Sequence, residues 1–66
     1  MKLSVAAKTL TGKHVRVLMT FNTNGCVFHL NEIVVVTGTY RNGIHVRTED
    51  GRVAYHVPVG FFELAE

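Results

Sequence analysis

Hydrophobic and polar residues alternate along the second half of this chain with the period of two that is typical of β-strands. Two dipeptides that favour tight hairpin turns, Asn42-Gly43 and Asp50-Gly51, divide Glu32–Val57 into three such runs. These turns need positive φ angles, which Gly adopts freely and which Asn or Asp tolerates. Three strands joined by two tight turns form an antiparallel meander. The pattern therefore predicts an all-β domain.

Five strands are predicted in total, within His14–Leu64. An N-terminal extension covers residues 1–13, and the domain itself covers residues 14–66. A long irregular loop is expected at Thr20–Asn31, and a short turn is expected at Pro58-Val59-Gly60, because proline cannot pair in a central strand. The strands are expected at His14–Phe21, Glu32–Thr39, Ile44–Thr48, Val53–Val57 and Phe61–Leu64.

The two turn dipeptides also predict which side chains share a face of the sheet. If each dipeptide forms the centre of a two-residue turn, His45 lies opposite Tyr40 on one side and opposite His56 on the other. The predicted core face then contains Ile33, Val35, Thr37, Ile44, Val46, Val53, Tyr55 and Val57. The predicted outer face contains Val34, Val36, Tyr40, His45, Arg47, Arg52, Ala54 and His56.

Short motifs near both ends of the domain resemble those of SH3 domains. Val17–Phe21, which reads Val-Leu-Met-Thr-Phe, resembles the Ala-Leu-Tyr-Asp-Tyr motif of the first SH3 strand. Val57–Phe62, which reads Val-Pro-Val-Gly-Phe-Phe, resembles the closing Ile-Pro-Ser-Asn-Tyr-Val motif, and Leu30–Ile33 lies where the family has its Lys-Gly-Asp/Glu step. The resemblance covers about His14–Leu64. It implies a small five-stranded SH3-like barrel with a short N-terminal extension.

The resemblance also implies a binding groove, although the chain departs from the family there. SH3 domains hold proline-rich peptides in an aromatic-lined groove. The family's groove tryptophan falls at Gly43, the chain contains no tryptophan, and Asn22–His29 carries no acidic residue. A standard proline-rich ligand is therefore not expected, but the groove remains an alternative binding site. Its residues would be Met19, Phe21, Pro58 and Phe61.

Composition narrows the class of protein further. A chain of 66 residues forms one domain at most, and its 47% hydrophobic content favours a folded domain over a disordered one. The single cysteine, Cys26, excludes an internal disulfide framework and favours the cytoplasm. No continuous apolar stretch indicates a signal peptide, and no membrane association is expected. The net charge of +2 is low for a protein that binds nucleic acid tightly.

Two pairs of residues could begin a metal or catalytic site, but neither pair is sufficient. His45 and His56 face each other in the predicted register, whereas zinc requires three or four ligands. Cys26 and His29 have a Cys-x-x-His spacing without a second cysteine, and they lie in a loop of a domain too small for a deep cleft. We therefore predict no metal site, no cofactor and no enzymatic activity.

The predicted outer face provides the main indication of function, because Val34, Val36 and Tyr40 would be exposed there unless something covers them. The N-terminal Leu3–Leu10 could fold over them, or a partner protein or second copy of the chain could bind them. Alternatively, Tyr40 could stack on a nucleic-acid base while Arg41, Arg47 and Arg52 contact phosphates. The favoured hypothesis is a non-catalytic protein-interaction module, such as a small phage or bacterial accessory protein that binds a host target. Its predicted partner-binding residues are Val34, Val36, Tyr40, His45, Arg47, Arg52 and His56.

Overall fold

Strands dominate the computed structural model of this protein, which describes residues 10–23, 25–41 and 43–65. The prediction of an all-β protein is confirmed. A short 3-10 helix, Val59–Phe61, precedes the last strand. The strands are β1 (His14–Val17), β2 (Phe21–Thr23), β3 (Cys26–Phe28), β4 (Ile33–Tyr40), β5 (Gly43–Arg47), β6 (Val53–Val57) and β7 (Phe62–Leu64).

Five of these strands form one antiparallel sheet in the order β6-β5-β4-β1-β7. The predicted meander is confirmed, because β4, β5 and β6 are consecutive neighbours in this sheet. The first strand pairs with both β4 and β7, and so joins the meander to the last strand. Strands β2 and β3 form a separate two-stranded sheet.

The prediction of an irregular loop at Thr20–Asn31 is wrong, because most of this segment forms the β2–β3 hairpin. Phe21 pairs with Phe28 across the hairpin, and their rings stack with centroids 5.0 Å apart. Gly25 has a φ of 74° at the turn, which is a conformation that favours glycine. The polar run Asn22-Thr23-Asn24 gives no sign of a strand in the sequence. The pairing and stacking of Phe21 with Phe28 nevertheless give this segment a regular register.

The first turn of the meander lies one residue earlier than predicted. Tyr40 pairs with Gly43, so Gly43 is the first residue of β5 rather than a turn residue. A Cβ atom at Gly43 would lie 2.6 Å from the carbonyl carbon of His56, so glycine is required there by the closeness of β6. Asn42 lies outside the described residues. Because the turn lies one residue earlier, residues of β4 near the turn pair with residues of β5 two positions earlier than predicted. Tyr40 nevertheless remains on the outer face.

The second turn contains one residue more than predicted. The Thr48 amide donates a hydrogen bond to the Arg52 carbonyl (2.9 Å), which leaves three residues in the loop. Within this loop the Gly51 amide donates to the Thr48 carbonyl (3.2 Å), and Gly51 has a φ of 93°. This is the usual geometry of a three-residue hairpin that ends in a glycine bulge. Asp50-Gly51 does lie at a hairpin tip, as predicted.

Each strand bordering β5 contains one extra residue. In β4 the extra residue is Thr37, because Val36 pairs with Val46 whereas Gly38 pairs with His45. In β6 two residues, Tyr55 and His56, lie between Ala54 and Val57. Only one residue of β5 lies between their partners, Val46 and Ile44. Such bulges interrupt the alternation of side chains between the two faces of a sheet. They therefore decide which residues form the core.

The core confirms part of the predicted core face and corrects the rest. Ile44, Val46 and Val57 are buried, as predicted. Ile33 and Tyr55 were predicted to be buried but are 44% and 51% exposed. The buried cluster consists of Leu10, Val15, Val17, Phe28, Val34, Val36, Ile44, Val46, Ala54, Val57, Val59 and Phe62.

The remaining face assignments change for the same reason. Val34, Val36 and Ala54 were predicted on the outer face and are buried, whereas Thr37 was predicted in the core and is exposed. Val35 and Val53 were also predicted in the core and are only half-buried. The bulge at Thr37 inverts the faces of the first half of β4, and the extra turn residue inverts those of the first half of β6.

The end of the predicted N-terminal extension packs against the sheet. Leu10 is buried in the core, the Gly12 amide donates to the Val36 carbonyl (2.8 Å), and the Val36 amide donates to the Lys13 carbonyl (2.9 Å). Residues 1–9 lie outside the described residues, and with them most of the Leu3–Leu10 segment that was expected to cover the outer face. Leu10 itself contributes to the inner side of the sheet.

Arg52 connects three separate segments of the fold. Its guanidinium pairs with Glu32 just before β4, donates to the Val27 carbonyl in the β2–β3 hairpin, and donates from Nε to both oxygens of Asp50 (3.1 Å each). The guanidinium also lies 5.5 Å from the centre of the Phe28 ring. Arg52 therefore holds the hairpin and the second meander turn against the main sheet, and its hydrogen bond lowers the pKa of the Glu32 carboxyl.

Two adjacent valines provide a test of the face assignment in β4. We expect Val36→Ala to lower the free energy of unfolding by about 1–3 kcal/mol, because the side chain is buried and its removal leaves a cavity. Val35→Ala should cause less than about half that loss, since Val35 is only half-buried. Urea denaturation followed by circular dichroism measures both variants. Equal losses, or a larger loss for Val35→Ala, would contradict the bulged register.

The Arg52–Glu32 ion pair predicts a specific acid sensitivity. The pKa of Glu32 is lower in the folded state than in the unfolded state. Its contribution to stability is therefore present above about pH 4.5 and is lost as the pH falls through the folded-state pKa. Glu32→Gln should flatten the dependence of unfolding free energy on pH in this acidic range. Glu49→Gln, an exposed position in the adjacent turn, is the matched control and should retain the wild-type slope. An unchanged slope in Glu32→Gln would refute the role of this ion pair.

Candidate functional site

Four aromatic side chains cluster on the outer side of β4, β5 and β6, and we call Tyr40, His45, Tyr55 and His56 the aromatic patch. His45 lies at its centre. The His45 ring centroid is 4.1 Å from that of Tyr40, 4.8 Å from that of Tyr55 and 4.6 Å from that of His56. Tyr40 and His56 are also in contact, at 5.5 Å. The patch is thus one continuous group of rings contributed by three neighbouring strands.

Gly38 makes room for the Tyr40 ring on β4. Gly38 pairs with His45, and a Cβ atom at Gly38 would lie 2.9 Å from Cε2 of Tyr40. The missing side chain lets the tyrosine ring lie flat along its own strand, close to the imidazole of His45. The tilt between these two rings is 33°, so they are partly stacked. A residue larger than glycine at position 38 would displace Tyr40 from His45.

The bulge in β6 brings two consecutive residues to the same imidazole. Successive residues of a regular strand point to opposite faces, so Tyr55 and His56 could not normally both contact His45. Here His56 has a φ of 56°, in the left-handed region that few residues other than glycine adopt. The ring planes of Tyr55 and His56 lie 76° and 88° from that of His45, in edge-to-face contacts. The unusual backbone of His56 therefore completes the aromatic patch.

His45 is held in its neutral form by its surroundings. Its Nε2 atom is buried and has no hydrogen-bond partner among the residues that the structure describes. Burial lowers the pKa of His45 below its ordinary value, and the nearby His56 lowers the pKa further. At neutral pH the centre of the patch is therefore an uncharged aromatic ring.

The two tyrosines give the patch its accessible surface. Tyr40 is 49% exposed and Tyr55 is 51% exposed, so about half of each side chain faces solvent while the other half packs on His45. Tyrosine rings fixed in this way offer apolar contact area together with a hydroxyl that can form a hydrogen bond. Residues of this kind are enriched at the energetic centres of protein interfaces. The patch has the chemistry of a contact surface.

The structure brings together only part of the predicted partner-binding set. Tyr40, His45 and His56 meet in the aromatic patch, and Arg47 lies two residues beyond His45 on the same strand and is exposed. Arg52 lies outside the patch and is engaged with Glu32 and Asp50. Val34 and Val36 are each 1% exposed, so their assignment to an exposed surface is wrong.

Tyr55 is the member of the patch that was not predicted as a partner-binding residue. The two-residue turn assumed for Asp50-Gly51 assigned Tyr55 to the core, opposite Val46. The three-residue loop that actually forms moves Ala54 into that place, and Tyr55 is turned outward. A glycine after Asp50 is compatible with both loop lengths, so no signal in the sequence separates the two registers.

The alternative groove is assembled only in part. The Phe21 ring contacts that of Phe61 at 5.3 Å, edge to face, and also that of the buried Phe62 at 5.9 Å. Both Phe21 and Phe61 are therefore largely occupied in packing against the core. Met19 is 45% exposed and Pro58 is also exposed. These two residues are the main accessible members of the alternative groove.

A shallow groove of about 300 Å³ also lies on the outer side of the sheet, beside Arg47. Its floor includes Ile33 and Val35, and the second meander turn forms one wall with Glu49 and Gly51. Ile33 is 44% exposed there. The groove borders the strand that carries His45 and Arg47, so the accessible apolar surface of the sheet extends beyond the aromatic patch.

The other candidate residues for catalysis or metal binding lie within residues 10–23, 25–41 and 43–65, which the structure describes. Cys26 is half-buried against the core, and His29 is exposed in the segment that follows β3. Within these ranges no group of three or more His, Cys, Asp or Glu side chains is placed to hold a metal ion. Nor do they contain a helix of the length and apolarity needed to cross a membrane. Comparisons with protein-family models, with curated proteins and with solved structures each find no match to this chain.

Proposed function

We propose that this protein is a non-catalytic protein-interaction module with an SH3-like five-stranded barrel, and that a partner protein binds its aromatic patch. The order of elements supports the proposed fold. A first strand is followed by the β2–β3 hairpin, a three-stranded meander, a 3-10 helix and a last strand that pairs with the first. This order agrees with that of the predicted elements, except that the β2–β3 hairpin takes the place of the expected irregular loop.

The half-exposed tyrosines Tyr40 and Tyr55, held on either side of His45, are the observation that carries the proposed function. A free tyrosine side chain loses rotational freedom when it binds, whereas these rings are already positioned by their contacts with His45. Their exposed halves can therefore be buried by a partner at a low entropic cost. A surface with two such anchors suits a protein partner that offers an apolar area with hydrogen-bond acceptors for the hydroxyl groups.

A nucleic-acid partner is the second candidate function. Arg41 and Arg47 are exposed near the patch, and a tyrosine ring could stack on a base. Against this, Arg52 was expected to contact phosphates, and its charge is balanced by two carboxylates, Glu32 and Asp50. The low net charge of +2 also disfavours tight binding to a polyanion. A protein partner therefore agrees better with the arrangement of charges.

The double variant Tyr40→Ala/Tyr55→Ala tests the proposed function. Immobilised wild-type protein and the variant are exposed to a bacterial lysate treated with nuclease, and the retained proteins are identified by mass spectrometry. We expect the variant to lose the specific partner, with affinity reduced at least about thirtyfold in a subsequent titration, as loss of interface anchors usually does. Size-exclusion chromatography with light scattering detects the case in which the partner is a second copy.

Two control variants make the outcome specific. Arg47→Gln should retain the partner, whereas for nucleic acid it should weaken binding and reduce the slope of log affinity against log salt by about one. Met19→Ser alters the alternative groove and should also retain the partner. Loss of the partner with Met19→Ser but not with the double tyrosine variant would move the binding site to the groove. Capture that depends entirely on nucleic acid would exclude the protein-interaction function.

A further inference from the structure

His45 is a half-buried titratable group that contacts rings from both neighbouring strands. Tyr40 faces it from β4, whereas Tyr55 and His56 face it from β6. On its own strand the nearest charged residue of the outer face is Arg47. The groups that surround His45 among the described residues are thus neutral or potentially positive.

Protonation of His45 would change the patch in two ways. Both ring nitrogens of a protonated histidine carry N–H groups, so Nε2 would be a donor in a place where no described residue accepts a hydrogen bond. The resulting positive charge would also lie next to His56 and would have lost much of its hydration. Attraction between the imidazolium and the face of the Tyr40 ring acts in the opposite direction. The depressed pKa of His45 reflects its burial first and the neighbouring His56 second.

We propose that protonation of His45 separates its ring from Tyr40 and Tyr55, so that the aromatic patch is ordered at neutral pH and is opened in mildly acidic solution. The change in geometry relieves both unfavourable effects, because a rotated imidazolium can reach water and move away from His56. This proposal rests on the proposed function only in the sense that the same patch is the binding surface. It adds a regulation of that surface by pH.

The direction of the pH effect follows from the shift at His45. Its pKa in the folded state lies below the ordinary value of about 6.5, so the unfolded chain takes up a proton first as the pH falls. Stability is therefore lost between pH 6.5 and the folded-state pKa, and the loss is complete below the folded-state pKa. Opening of the patch accompanies protonation of the folded protein, which takes place around the folded-state pKa.

Nuclear magnetic resonance spectroscopy of the wild-type protein without any partner tests this proposal. The ring signals of the four histidines and two tyrosines are followed from pH 8 to pH 4. We expect the His45 signal to titrate with a midpoint below 6.5, and the signals of Tyr40 and Tyr55 to shift with the same midpoint. A midpoint at or above 6.5 would overturn the proposal, and so would tyrosine signals that do not follow His45.

Three variants separate the causes of the tyrosine response and of the lowered His45 midpoint. His45→Phe retains an aromatic ring without a titratable proton and should abolish the tyrosine shifts that follow the His45 midpoint. His56→Asn removes the second imidazole, and asparagine tolerates a positive φ. In this variant the His45 midpoint should rise towards 6.5 but stay below it, because burial is the larger cause. His29→Gln, at an exposed position outside the patch, should leave the tyrosine response unchanged.

The titrations that test pH regulation of the patch and the capture experiment that tests partner binding give independent results. If His45→Phe fails to fold, the common midpoint of His45 and the tyrosines in the wild type, together with His56→Asn, still decides the proposal. Retention of all partners by the double tyrosine variant would refute the proposed function without affecting these titrations. Conversely, tyrosine signals that are constant across the titration would refute pH regulation and leave the patch as a binding surface.

Discussion

One extra residue in β4, Thr37, determines how the two sides of this sheet differ. Before the bulge Val34 and Val36 point into the core, and after it Tyr40 points outward, although all three have even positions in the sequence. A regular strand would place all three on the same face. It would then either bury a tyrosine hydroxyl without a partner or expose two valines. The bulge allows a single strand to supply both the core and the aromatic patch.

The second bulge, at Tyr55 and His56, acts on the same surface from the other side of β5. At this bulge two residues of β6 lie opposite one residue of β5, so both rings contact His45. The next residue, Val57, again lies in the core. Gly43 permits this arrangement, because its lack of a side chain lets β5 approach the backbone of His56 and Val57. The aromatic patch thus depends on backbone irregularities in both neighbouring strands, and bulges of this kind are common next to functional sites.

Secondary structure was predictable here to a greater extent than the register. Alternating valines and turn dipeptides were sufficient to locate the meander, because these signals are local. Burial of Ile44 and Val46 was also predicted correctly, since β5 itself contains no bulge. Val34, Val36 and Tyr55 were assigned to the wrong faces, because a single inserted residue inverts the faces of the positions on its far side when the register is counted from the turn. The energies that favour a bulge come from packing between strands, and the sequence of one strand does not contain them.

The sequence predicted the part of the candidate site that is centred on β5. Tyr40, His45 and His56 were predicted on one face and are found together, although the pairing that brings them together differs from the expected one. Arg52 was predicted on the same face but lies outside the patch, because it pairs with Glu32 and Asp50. Such contacts between distant segments depend on the tertiary fold, which alternation along the chain does not describe.

The composition of the aromatic patch is difficult to explain by stability alone. A buried imidazole nitrogen without a partner costs roughly 1–3 kcal/mol, and a left-handed residue other than glycine costs a similar amount. Stability is only about 0.05–0.15 kcal/mol per residue in proteins of ordinary size, so such costs are large for so short a chain. Phenylalanine at position 45 would avoid the first cost and keep a ring at the centre of the patch. Glycine at position 56 would avoid the second cost and keep the bulge, although the His56 ring would be lost. Since local rules of stability are most often broken at functional sites, His45 and His56 support the proposal that this surface binds a partner.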